Sequence, residues 1–101
     1  MFYIYILISK TSNKYYIGYS NNPWERVIQH NENTGEKYTG KYKNWELISV
    51  FKVLGTRGDA MKIEKFIKNQ KSRNFIEKII DDNFKPEGKL AQLVRVPNIR
   101  D

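Results

Sequence analysis

The chain opens on MFYIYILI, eight residues without a charge and with only bulky apolar or aromatic side chains. A membrane-spanning helix needs about 20 apolar residues. A secretory signal needs a basic start and a small-residue cleavage site, which are absent here, and neither end carries a lipidation motif. Isoleucine and tyrosine suit a pleated, buried surface, so residues 2–8 are predicted as a strand. The polar SKTSNK follows as a turn, and KYYIGY, residues 14–19, is predicted as the hairpin partner. A strand this apolar has to be covered, and the rest of the chain supplies the cover.

Asn22 is a suitable N-cap and Pro23 suits the first helical position, which predicts a helix over 23–32 with the apolar stripe Trp24, Val27 and Ile28. Residues 33–45 are polar and read as a loop. Residues 46–54 (ELISVFKVL) are apolar on most positions of both faces, which predicts a third, central strand. Gly55 and Gly58 flank a turn, and residues 59–70 form a helix with Ala60, Ile63, Phe66 and Ile67 inward. Ser72 caps a helix over 73–82 that carries Phe75, Ile76, Ile79 and Ile80. Beyond Phe84 the QLVRV stretch either adds an edge strand or stays loose. The order is β-β-α-β-α-α: an α/β (α+β) fold with a small antiparallel three-stranded sheet flanked by helices. Residues 1–83 form the domain, and 84–101 a C-terminal tail, either partly disordered or packed on it.

At 101 residues there is room for one core. Cysteine is absent and histidine occurs once, at His30, so disulfides, thiolate chemistry and multi-imidazole metal sites are excluded. The net charge of +7 favours a polyanionic partner, nucleic acid ahead of an anionic membrane surface. With no targeting signal, the expected location is cytoplasmic.

Several residues combine reactive chemistry with a suggestive position. Tyr5 and Tyr16 lie on adjacent hairpin strands, where their phenols can meet on one face. Arg26 and His30, at i and i+4, share a helix face that points away from the apolar stripe, so His30 is not expected in the core. Glu64 falls at the flank of its helix's apolar arc, which leaves its carboxylate partly shielded at the mouth of a groove. Each has a plainer role too. A strand tyrosine packs, Gly18 serves close packing, and Arg26 and His30 belong to a solvated face. Glu64 pairs with Lys68 for about 0.3–0.5 kcal/mol. Gly35 to Lys41 fits the G-x-x-x-x-G-K pattern, but Tyr42 stands where a phosphate-binding loop needs Ser or Thr.

In order, these residues read YIY-x10-YIG-x7-R-x3-H, followed by Glu64 and then Lys71-Ser72-Arg73. Over roughly residues 2–80 this resembles the GIY-YIG nuclease family, in particular its small standalone members. Tyr3 stands where the first tripeptide has glycine, while Tyr5 keeps the chemical position. Asn69 is the nearest counterpart of a polar residue that many members carry after the glutamate.

The resemblance implies an endonuclease that hydrolyses DNA phosphodiester bonds with Mg²⁺ (or Mn²⁺) held by Glu64, in a one-metal mechanism. It implies that Arg26 binds the scissile phosphate through its planar fork. Tyr5 or Tyr16 takes a proton from water, helped by positive charge from Arg26, the metal or Lys14, and His30 relays or orients. Cutting is expected to be structure-selective or nonspecific, with a repair or recombination role by family analogy. The alternative is a nucleic-acid-binding module of the same fold with little or no activity; a protein-interaction domain is a third reading. Lys37, Lys41 and Lys43, interleaved with Tyr38, Tyr42 and Trp45, suit nucleic-acid contact. So do Lys14 and, as a phosphate-tracking rim beside Glu64, Lys62, Lys65, Lys68, Lys71 and Arg73. DNA is preferred over RNA as partner, with no membrane, a monomer by default, and room for a targeting protein.

Overall fold

In the computed structural model, which describes residues 1–32, 44–97 and 99, Tyr3–Ser9 (β1) and Lys14–Ser20 (β2) pair antiparallel. Asn13 closes the turn between them with φ of 54°, a left-handed conformation that asparagine tolerates. β1 also pairs with Trp45–Val53 (β3), which makes β1 an inner strand with both faces covered. That is why its apolar run is continuous: Ile4 and Ile6 are buried on one face, Tyr5 and Leu7 on the other. The register slips between Ile6 and Leu7, so β3 carries one extra residue, a β-bulge, opposite them.

Among the described residues the sheet has four strands, in the order β2-β1-β3-β4, where three were expected. The fourth, Leu93–Arg95 (β4), comes from the QLVRV stretch and pairs antiparallel with β3. Three residues on an edge carry little strand signal of their own; the partner across the ladder makes the strand.

Helices cover both faces. One face of the sheet packs Ile4, Ile6, Ile17, Phe51 and Val53 against Ala60, Ile63 and Ile67 of Arg57–Asn69 (α2) and Ile79 of Arg73–Ile80 (α3). The other face packs Tyr5, Leu7, Trp45, Leu47 and Val50 against Trp24 and Val27 of Pro23–Glu32 (α1). Local signals set the helix starts. The Glu25 N–H donates to Asn22 Oδ1 at 3.2 Å, and the Phe75 N–H to Ser72 Oγ at 3.1 Å. α2 begins two residues before the predicted 59, because Thr56 and Asp59 form a reciprocal capping box. These bonds hold the Asp59 carboxyl below its ordinary pKa. α3 ends at Ile80, short of the predicted 82.

The segment after α3 is fastened at several points. One Arg95 nitrogen donates to the carbonyls of Ile79 and Asp81, each at 2.8 Å, while the guanidinium lies over the Phe51 ring at 4.6 Å. The Trp24 indole N–H donates to the Ile99 carbonyl at 2.8 Å. No helix among the described residues is long and apolar enough to cross a membrane.

Candidate active site

The hairpin register sets Tyr5 opposite Gly18 and Leu7 opposite Tyr16, so all four share one face and the two tyrosines are diagonal neighbours. Their rings lie 6.3 Å apart. Gly18 has a steric reason to be glycine: a Cβ there would overlap Cζ and Oη of Tyr5. The phenol lies across the space that a side chain would fill, and Tyr5 is only 1% exposed.

α1 crosses this same face, and here the expectation for its orientation is overturned. His30 is buried at 4% exposure, while Ile28, assigned to the inward stripe, is 56% exposed. The reason is chemical. The face beneath α1 is lined with phenols, which give an imidazole a hydrogen-bond partner that an aliphatic surface lacks. Tyr5 Oη and His30 Nε2 are 2.9 Å apart, and the His30 ring lies 4.9 Å from that of Tyr16.

Burial, with the neighbouring positive charge of Arg26, pushes the His30 pKa from 6.5 down to about 4. His30 is therefore neutral at pH 7. Burial, reinforced by Tyr16, pushes the Tyr5 phenol up from 10 to about 12. Arg26 works the other way, through charge and hydrogen bonding to Tyr5, and the negative charge of Glu64 adds to the rise. With the His30 proton on Nδ1 the Tyr5 hydroxyl donates to Nε2; with it on Nε2 the phenol oxygen accepts. Arg26 is itself exposed and donates from Nη1 to Gln29 Oε1 at 2.8 Å.

Glu64 approaches from α2. Its side chain is 18% exposed and forms an ion pair with Lys68 at 3.4 Å. Lys68 Nζ also lies 5.2 Å above the centre of the Tyr16 ring. Glu64 lines a groove of about 380 Å³ with Tyr19, Lys65, Lys68 and Asn69. The structure thus brings Tyr5, Tyr16, Arg26 and His30 together, places Glu64 where its charge reaches Tyr5, and sets Asn69 in the Glu64 groove. No cluster of three metal-ligating side chains occurs among the described residues. A cation held here would have Glu64 as its protein ligand.

The predicted nucleic-acid contacts fare differently. Lys14, Lys65, Lys68 and Lys71 are exposed. Arg73 serves the fold: it donates to the carbonyl and Oδ1 of Asn13, each at 2.8 Å, pairs with Glu77 at 3.5 Å and covers the Tyr15 ring at 4.5 Å. Lys37, Lys41 and Lys43, and the whole Gly35 to Lys41 pattern, lie outside the described residues. Trp45, grouped with that loop, is instead buried at 4% exposure, with its ring 6.2 Å from Tyr16.

Sequence reasoning missed Asn31. Its Oδ1 accepts from the Trp45 N–H at 2.7 Å and its Nδ2 donates to the Trp45 carbonyl at 2.9 Å. This pair of bonds ties the end of α1 to β3, one residue beyond His30. No local signal reports it, because the Trp45 backbone that Asn31 bonds lies 14 positions further along the chain.

Comparison with known proteins identifies the family. The family model described as the GIY-YIG catalytic domain matches residues 1–78. Across 99 residues the chain is 30% identical to UPF0213 protein YazA of Bacillus subtilis (strain 168), covering 95% of this chain and 93% of that protein. Both tripeptides, Arg26, His30 and Glu64 fall within the matched region, and the chain belongs to the GIY-YIG family, a family of nucleases.

Proposed function

We propose that this chain is itself a divalent-metal-dependent endonuclease that hydrolyses DNA phosphodiester bonds. The observation that carries the reading is the buried Tyr5–His30 hydrogen bond with the Arg26 charge beside it. Beside the aliphatic Leu7, Leu47 and Val50, this face carries a phenol and an imidazole bonded to each other, groups that can pass a proton.

Glu64 fits a hard cation such as Mg²⁺ or Mn²⁺: it is a partly shielded carboxylate facing an open groove, and Mg²⁺ commonly takes one or two carboxylates with water and substrate oxygens. Bound there, the metal would neutralise charge that develops on the phosphate. Arg26 binds the same phosphate through its fork.

Tyr5 passes a proton rather than storing a charge. With its pKa at about 12 it holds no phenolate at neutral pH. Its oxygen receives a proton from the attacking water as its own proton moves to His30 Nε2, 2.9 Å away. The Arg26 charge helps to hold His30 low. A phosphate on Arg26 offsets that charge and raises the basicity of His30 when substrate is in place.

The cations near the site, Lys14, Lys65 and Lys68, suit phosphate contacts, which carry no sequence information, so cutting is proposed to be structure-selective or nonspecific. A cytoplasmic repair or recombination role is consistent with that. The test is cleavage of labelled duplex, single-stranded and branched DNA, with and without Mg²⁺, beside Glu64→Ala. Metal-dependent cutting that disappears in the variant is expected. No cutting on any substrate, with salt-sensitive binding intact, would overturn the reading in favour of a binding module of the same fold.

A further inference from the structure

Three grooves adjoin one another across the outer side of α2. The first is the Glu64 groove. The second, about 450 Å³, shares Lys62, Lys65 and Asn69 with it and extends to Lys89. The third, about 460 Å³, shares Phe66 and Lys89 with the second and is walled by Phe75, Phe84, Lys78 and Lys85. The chemistry proposed above leaves this third groove unused.

Its lining is two-sided. Phe66 and Phe75 meet edge to face at 6.2 Å, and Phe84 is anchored edge-on against Phe51 at 6.3 Å. Around them stand three lysines against one acid, Glu87. Lys89 Nζ lies 5.2 Å from the centre of the Phe66 ring, so cation and ring already share one spot. An apolar peptide would cover the rings and leave the lysines unanswered. An inorganic anion would answer the lysines and leave the rings wet. A single nucleic-acid strand presents a flat base and a phosphate at every step, and so matches both. A groove of this volume takes about one or two nucleotides.

Resting on the nuclease reading above, we infer that the Phe66–Phe75–Phe84 groove is a second nucleic-acid subsite. It holds bases of a single strand that runs from the Glu64 groove along Lys62, Lys65 and Lys89. The preferred substrate then has a single-stranded arm beside the cut site.

The test uses the full chain and fluorescence anisotropy with two labelled probes of equal length and charge, an oligothymidylate and its abasic counterpart. The variant is Lys78→Gln/Lys85→Gln/Lys89→Gln, three exposed side chains whose loss leaves the core intact. Wild-type protein is expected to bind the oligothymidylate about tenfold more tightly than the abasic strand, since stacking needs bases. In the variant, affinity for the oligothymidylate falls about tenfold or more. The slope of log affinity against log salt falls by about 2, from three lost phosphate contacts. The variant cuts duplex without an arm at the wild-type rate and loses rate on branched DNA. Equal affinity of wild-type protein for the two probes would overturn the inference, because the groove would then be a generic polyanion site. So would a variant that binds the oligothymidylate as wild type does. If wild-type protein cuts no DNA at all yet shows the expected probe preference and salt slope, the nuclease reading fails and the subsite stands.

Discussion

The Tyr5 hydroxyl and the His30 Nε2 lie 2.9 Å apart in the interior, joining β1 to α1 through a polar contact. A buried hydrogen bond of this kind is modest in net worth, but removing one partner strands the other without water. Tyr5→Phe is therefore expected to lower stability by about 1–3 kcal/mol, read from the urea midpoint, and to abolish cleavage. A variant as stable and as active as the parent would separate this pair from both fold and chemistry.

Gly18→Ala places a methyl group where the Tyr5 phenol lies. The ring is fixed by His30 and cannot yield cheaply. A loss of about 1–3 kcal/mol is expected from overpacking, with cleavage reduced because Tyr5 is displaced. Thermal unfolding and a rate measurement on the same preparation check both halves.

Tyr16 is half-buried at the same face, beneath Lys68. Tyr16→Phe keeps the ring and its packing, so its stability is expected to stay within about 1 kcal/mol of the parent. If the hydroxyl takes part in proton transfer, the single-turnover rate falls by about 10²-fold or more. A collapse in melting temperature with the rate intact would assign the Tyr16 hydroxyl to a structural hydrogen bond and remove it from the chemistry.

Arg26→Lys keeps the charge and loses the planar fork. The rate is expected to remain well below the parent's, because a point charge does not reproduce two-oxygen phosphate recognition. Full activity in the lysine variant would remove that role.

His30 makes stability depend on pH. Its folded pKa is about 4 against an ordinary 6.5, so between those values the unfolded chain takes up a proton that the folded chain refuses. The His30 contribution is complete above pH 6.5, declines as pH falls and levels off below about 4. The span is of order 3 kcal/mol. Urea midpoints measured from pH 7 to pH 4 should therefore fall more steeply for the parent than for His30→Gln, which keeps the carboxylates but lacks the titration.

Elements with local punctuation were legible in the sequence. The polar turn marks the hairpin, Asn22-Pro23 starts α1 and Ser72 starts α3, each through a bond made within a few residues. β4 was not decidable in this way. Its partners, Phe51 for Arg95 and Val53 for Leu93, lie some forty positions earlier and no local propensity reports them. The start of α2 was hidden because Gly58 resembles a turn residue, although Thr56 and Asp59 already spell the capping box. His30 was turned outward because a polar/apolar pattern counts imidazole as polar, while the face it meets carries phenols. The order of the site residues was readable from their spacing. That Tyr5 needs Gly18 as its bed was not, since it depends on the register that the hairpin adopts.

The Tyr5 contact has a consequence for comparing members of this family. Its phenol is both a candidate reactive group and a fastening for α1, so a lineage that abandoned catalysis would still be held to Tyr5, Gly18 and His30 by the need to stay folded. Glu64 carries no such obligation, since its rim ion pair with Lys68 contributes little to stability. On the proposal that Glu64 holds the metal, loss of cutting should therefore be recorded first at the α2 carboxylate. A relative that keeps both tripeptides but lacks that carboxylate is better read as a retired nuclease than as a working one.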